Sequence, residues 1–123
     1  MQLILLDSIS AIDASHADAF VVTGSHGGVS AGQFVLSCPV YPMAVAFNDA
    51  GIGKDGAGIA ALAMLQNAGI LAFAYSHLSA RIGEAGDAWL HGSVSQVNAF
   101  ANPKGITAGM SVQAAYERCG GQS

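Results

Sequence analysis

Along the chain, short runs of uninterrupted apolar residues are separated by small, polar and Gly-rich stretches. Gln2 to Leu6, Phe20 to Thr23, Met43 to Phe47 and Ile70 to Tyr75 carry apolar side chains at successive positions rather than alternate ones. A strand of that kind is covered on both faces, as in a parallel sheet wrapped by helices. Between and after these runs, the spacing predicts helices over Val29 to Ser37, Lys54 to Asn67, Glu84 to His91 and Val94 to Ala101. A last short helix, capped by Ser111, runs through Arg118. Pro39 and Pro42 stop the first helix, and Gly69 stands at the C′ position of the second. Ser8 to Ala19 is too short and polar for a crossover helix. Strands alternating with helices imply one α/β domain over residues 1–123. Its expected form is a three-layer sandwich, with a mostly parallel sheet of about four strands and helices on both faces. In general plan it is Rossmann-like.

The helix predicted over Lys54 to Asn67 is apolar all round, since Ile59, Leu62, Ala63, Met64 and Leu65 do not form one stripe. Such a helix is buried on both sides. One side faces the sheet, and the other is expected to face a second copy of the chain. Composition points the same way. Charged residues make up only 10% of the 123, against a usual ~25%. Part of so charge-poor a surface is expected to be covered in a homo-oligomer, most simply a two-fold dimer with Gly56 to Asn67 at or near the contact. A hydrophobic fraction of 52% excludes intrinsic disorder, and a net charge of -4 argues against nucleic-acid binding. Cys38 and Cys119 show no CxxC spacing, which suits a reducing cytoplasm. The uncharged stretches 19–48 and 56–80 are broken by the prolines and by Gln66-Asn67-Ala68-Gly69, so neither predicts a membrane span. The first residues, MQLILLDSIS, lack the basic start of a signal peptide.

In open parallel sheets, ligands bind beyond the carboxyl ends of the strands. Three predicted strands end there in polar, Gly-rich turns: Gly24 to Gly28, Asn48 to Asp55, and Ser76 to Arg81. These turns collect Ser25, His26, Gly27, Gly28, Asn48, Asp49, Gly51, Gly53, Lys54, Asp55, Ser76, His77, Ser79 and Arg81. Two of the four basic residues fall among them. His26 between glycines is expected to be an exposed general acid/base, with Asp49 orienting it and His77 as a further catalytic candidate. His16 and His91 lie away from these turns and read as solvent-facing.

Gly51-Ile52-Gly53-Lys54-Asp55-Gly56 matches GxGxxG between a strand and a helix. The acidic residue a dinucleotide site needs ~20 positions later is replaced by Tyr75-Ser76-His77, so no cofactor is predicted. The general part remains: backbone N–H groups of Gly51 to Gly53 at a helix start, with Lys54 and Arg81, are expected to hold a carboxylate or phosphate. His26, Asp49 and His77 also have the composition of a two-His, one-carboxylate metal set, but no HxH or HExxH spacing supports it. Ser76 or Ser25 with His26 and Asp49 has the composition of a Ser-His-Asp triad, without a GxSxG elbow.

From Val21 to Ser76 the chain resembles the core of caspase-like peptidases, with His26-Gly27 after one strand and a small polar turn after the next. In that family the second strand ends in a nucleophilic Cys. Here the region reads Phe47-Asn48-Asp49-Ala50-Gly51, and Cys38 precedes the strand, so the resemblance implies a related sheet order without peptidase chemistry. The GSHGG and NDAGIGKDGAGI segments also resemble small bacterial proteins of unknown function.

These features together predict a small-molecule enzyme of hydrolase or lyase type, acting on an anionic substrate. The alternatives are a module that binds or senses a small anion without turning it over, and a structural subunit of an oligomer.

Overall fold

The computed structural model describes residues 1–122. Strands β1 (Leu3–Leu6), β2 (Phe20–His26), β3 (Ala44–Asn48), β4 (Leu71–Tyr75) and β5 (Val94–Val97) form one sheet in the order β1-β2-β3-β4-β5. The first four are mutually parallel, and β5 runs antiparallel to β4. The α-helices among the described residues are α1 (Val29–Leu36), α2 (Ala60–Asn67), α3 (Ala85–His91) and α4 (Val112–Arg118). The fold is α/β with a five-stranded, mostly parallel sheet.

The continuous apolar runs explain the packing. Successive side chains alternate between faces, and both faces are dry. On one face Val45, Phe47, Ala72 and Ala74 pack with Ile9, Val35 of α1, and Leu62 and Leu65 of α2. On the other, Phe20, Val22, Phe73 and Tyr75 pack with Ala88 of α3 and Val112, Ala115 and Tyr116 of α4. The crossovers between the parallel strands share one face because the sheet grows in one direction with crossovers of one hand. The β1–β2 crossover has no α-helix. Two short 3-10 turns, Ile9–Ala11 and Ala14–His16, fill it.

Three expectations are corrected. The sheet has a fifth strand, since Val94 to Val97 is β5 and not the start of a helix. The pairing shifts between Ala74 and Tyr75, where Val94 faces Tyr75 and Gln96 faces Ala74. That β-bulge at Ser95 puts Val94 and Val97 on the same face, within one core cluster. Their spacing of three is the spacing of a helix, so the bulged strand imitates one.

The predicted helix over Lys54 to Asn67 begins later. Lys54–Ile59 is a kinked 3-10 segment in which Asp55 (φ 56°) and Gly56 (φ 72°) are left-handed, and α2 starts at Ala60. Its all-round apolar character has an internal cause. Ala61, Leu62 and Leu65 are buried, and Met64 lies against α1, where a Cβ on Gly32 would come within 2.8 Å of its sulfur. The outward positions are Ala63, Gln66 and Asn67, so α2 does not present the apolar face expected of a subunit contact. No helix among the described residues is long and apolar enough to cross a membrane.

Candidate functional site

The parallel strands follow one another without a reversal of order, so the sheet has no switch-point crevice between β2 and β3. What lies beyond the carboxyl ends is set by the loops alone. The loop after β3 is the most unusual. Ala50 (φ 49°), Gly51 (φ 73°), Ile52 (φ 69°) and Gly53 (φ 75°) are four consecutive left-handed residues. For β-branched Ile52 that conformation costs about 1–3 kcal/mol, and such strain concentrates at functional sites. Hydrogen bonds hold it: Ile52 N–H donates to the Asp49 carbonyl, and Gly58 N–H donates to the Ile52 carbonyl, each at 2.6 Å. The coil leaves no room for a side chain at Gly58, whose Cβ would collide with the Asp49 and Ile52 carbonyl oxygens.

At the base of this loop the Asp49 carboxylate is buried, with 6% of its side chain exposed. Oδ1 accepts from Gly51 N–H (2.8 Å), from His77 N–H (3.1 Å) and from the His77 ring at Nδ1 (3.1 Å). Oδ2 accepts from Ser95 Oγ at 2.7 Å. Burial pushes the Asp49 carboxyl up. The hydrogen bonds from Ser95, Gly51 and His77 outweigh it and hold the carboxyl below its ordinary 3.8. An ionised carboxylate only accepts, so Nδ1 of His77 carries a proton, and in the neutral ring the lone pair is on Nε2. The ring lies over Gly51, where a Cβ would stand 3.4 Å from Cε1. With 46% of its side chain exposed, His77 is held from behind and open in front.

In front is a cleft of about 440 Å³ lined by His77, Leu78, Ser79, Ala80, Arg81 and Asp87. Asp87 Oδ2 accepts from Arg81 N–H and Oδ1 lies 2.8 Å from His91 Nδ1. The Arg81 N–H and the His91 ring lower the Asp87 carboxyl below the usual range. The Arg81 guanidinium is 81% exposed and 3.9 Å from Glu84. Buried Asn48 joins the two loops, donating to the Ala80 carbonyl (3.2 Å) and accepting from Ala50 N–H (2.8 Å). Beneath them Tyr75 OH donates to the Thr23 carbonyl, and burial pushes its phenol well above the usual range.

The structure thus brings Asp49 together with His77, Ser79 and Arg81, with Asn48 behind them. It does not bring in His26. The His26 ring is exposed and folds back over Gly28, where a Cβ would lie 2.8 Å from Nε2. His26 belongs neither to the Asp49 hydrogen-bond set nor to the cleft lining. The glycines around it serve packing: Gly27 lies against Phe47 and the Gly58 carbonyl, and Gly24 against Gly83, Glu84 and Asp7. Ser25 Oγ accepts from Ile9 N–H and ties β2 to the crossover.

The expected anion loop is corrected. Gly51 N–H, Ile52 N–H and Gly53 N–H bind Asp49 Oδ1, the Asp49 carbonyl and the Gly51 carbonyl, so these amides are turned inward. Lys54 and Asp55 are exposed on the 3-10 segment and do not line the cleft. Ser76 Oγ accepts from Leu78 N–H, while Ser79 Oγ donates to the Ser76 carbonyl and accepts from Ser93 N–H. Neither hydroxyl is hydrogen-bonded to His77. No group of three His, Cys, Asp or Glu side chains among the described residues is placed to hold a metal ion, so His26, Asp49 and His77 do not form that set.

Sequence reasoning missed Ser95 and Asp87. Asp87 sits on a correctly predicted helix, and only the fold turns it toward the cleft. Ser95 lies where the bulge disguised a strand, and no local signal pointed to it. No protein-family model, curated protein or solved structure matches this chain.

Proposed function

We propose that this chain is a small-molecule enzyme in which His77 is the general acid/base, oriented by Asp49, and Arg81 anchors an anionic group of the substrate. The observation that carries the reading is the buried carboxylate behind a half-exposed imidazole that lines a cleft of about 440 Å³. The fixed tautomer makes His77 a ready proton acceptor, and Asp49 stabilises the imidazolium formed when it takes the proton. Since no hydroxyl or thiol is hydrogen-bonded to His77 among the described residues, the proton comes from water or from the substrate itself. A water-activating hydrolase and a lyase both fit, and a serine hydrolase does not.

The test is a turnover screen with phosphate monoesters, carboxylic esters and 2-hydroxy acids, run on wild type and on His77→Ala. Turnover in wild type that is lost in His77→Ala supports the reading. Turnover that survives His77→Ala contradicts it. The second reading is a small-anion binding module, favoured by the same lack of a side-chain nucleophile. It predicts that phosphate or malonate shifts the Arg81 and His77 resonances without any turnover.

Self-association is also proposed, on a different surface from the expected one. Leu78 (86% exposed), Ile82 and Leu90 are large apolar side chains in solvent on the cleft loop and on α3. On a chain with only 10% charged residues they are the best candidates for burial against a second copy. Sedimentation at micromolar concentration should show a species above 12.4 kDa; a clean monomer contradicts this. The free thiols Cys38 and Cys119 support a reducing, cytoplasmic setting.

A further inference from the structure

We infer that Ser95 is a positioning residue, which sets the imidazole tautomer of His77 through the Asp49 carboxylate. The inference rests on the His77–Asp49 reading above and adds to it a residue two bonds removed from the cleft. Three donors converge on Asp49 Oδ1: Gly51 N–H, His77 N–H and His77 Nδ1. A carboxylate oxygen has two in-plane lone pairs, so its orientation decides how well the ring donor is served. Oδ2 has one partner among the described residues, Ser95 Oγ at 2.7 Å. That bond fixes the rotation of the carboxylate plane, and with it the direction of Oδ1.

The backbone gives Ser95 this aim. It lies at the bulge between the Val94–Tyr75 and Gln96–Ala74 pairs. A regular strand would alternate Ser95 away from the neighbouring positions, whereas a bulge re-aims a side chain near a site. Ser95 Oγ also lies 3.4 Å from the Ala74 carbonyl, a second and longer acceptor. The shorter bond to the charged partner is the stronger. Without the hydroxyl, Oδ2 is left buried and unpaired, and the carboxylate turns to recover a donor. The ring then drifts toward the Nε2–H tautomer, which removes the lone pair from Nε2.

The test reads the ring nitrogens of His77 by ¹⁵N NMR in the full chain, at a pH where the imidazole is neutral. Wild type is expected to show Nδ1–H. Ser95→Ala should raise the ratio of Nε2–H to Nδ1–H roughly tenfold, the equivalent of about 1.4 kcal/mol. Ser95→Thr, which keeps the hydroxyl, should restore the wild-type ratio, and its near-isostere Ser95→Val should not. Asp49→Ala, which removes the acceptor altogether, is the control arm. If Asp49→Ala changes the tautomer and Ser95→Ala does not, Ser95 is not a positioning residue. If neither changes it, the His77–Asp49 reading itself fails. Loss of the fold in both Ser95→Ala and Ser95→Val would assign Ser95 to stability alone and overturn the inference.

Discussion

His26 and His77 occupy similar places, His26 as the last residue of β2 and His77 two residues beyond β4, each close to a glycine, yet their surroundings differ. The His26 ring rests on Gly28, exposed, with no hydrogen bond or ion pair holding it among the described residues. The His77 ring rests on Gly51 and is tied at Nδ1 to a buried carboxylate. A glycine under an imidazole is therefore not what makes it reactive. The difference comes from the neighbouring strand: Asp49 follows β3 directly, beside the end of β4, and β5 brings Ser95 to the far side of that carboxylate. The chemistry of a histidine is set by what holds its other nitrogen, and here that partner is 28 residues away in sequence.

The sharpest way to break this contrast is Asp49→Ala, which removes the acceptor at His77 Nδ1. An Asn would be a weaker probe, because its amide oxygen can still accept at the Oδ1 position while its N–H₂ donates to the Ser95 hydroxyl. Turnover in Asp49→Ala should fall about 10³–10⁴-fold, as expected when the tautomer is no longer held, with the fold retained in circular dichroism. His77→Ala should reduce turnover by about 10²–10⁴-fold. Because the ring is half exposed, its loss should change stability by no more than ~1 kcal/mol in a urea titration. An equal loss from His26→Ala would erase the distinction between the two histidines.

Gly58→Ala tests the coil that aims Asp49. Its Cβ would collide with the Asp49 and Ile52 carbonyls, which are backbone atoms and cannot turn aside. Destabilisation of about 1–3 kcal/mol is expected, with a fall in turnover in the fraction that remains folded. A stability equal to wild type would mean that the coil is not as tight as described.

Acid gives a substrate-free version of the same test. The folded Asp49 carboxyl lies below its ordinary 3.8. Its contribution to stability is therefore fully present above about pH 4 and is lost as pH falls through the lowered value. The hydrogen-bonded Nδ1–H signal of His77 should persist down to that window and disappear within it. Asp13 and Asp87 are lowered too, by Ser15 and by the Arg81 N–H with His91, but Asp13 is exposed and screened, so its share is small. Asp49→Asn should flatten the acid limb. The smallest effect belongs to His26→Ala, which should change turnover less than twofold and stability by no more than ~0.5 kcal/mol.

Much of this was legible in the chain. Four strands announced themselves because a buried parallel strand is apolar at every position, α1 because Pro39 and Pro42 stop it, and α4 because Ser111 caps it. β5 was hidden by the bulge, which gives Val94 and Val97 helical spacing. The start of α2 was misplaced because Asp55 and Gly56 are left-handed, a backbone choice that residue type alone does not announce. For the site, the rule that ligands meet the carboxyl ends of strands led to Asp49, His77 and Arg81, which the fold gathers around one cleft and the carboxylate behind it. It did not decide between His26 and His77, because nothing in either local segment shows which imidazole a distant carboxylate will reach. Glycines in Gly24 to Gly28 suggested exposure of a ligand site, and they serve close packing instead.

The most direct measurement compares the two imidazoles of the wild-type protein by ¹⁵N NMR at neutral pH. The account predicts that His77 holds the Nδ1–H tautomer with a hydrogen-bonded ring proton, while His26 shows the Nε2–H preference and fast exchange of a free imidazole. Both rings in the same free tautomer would contradict it.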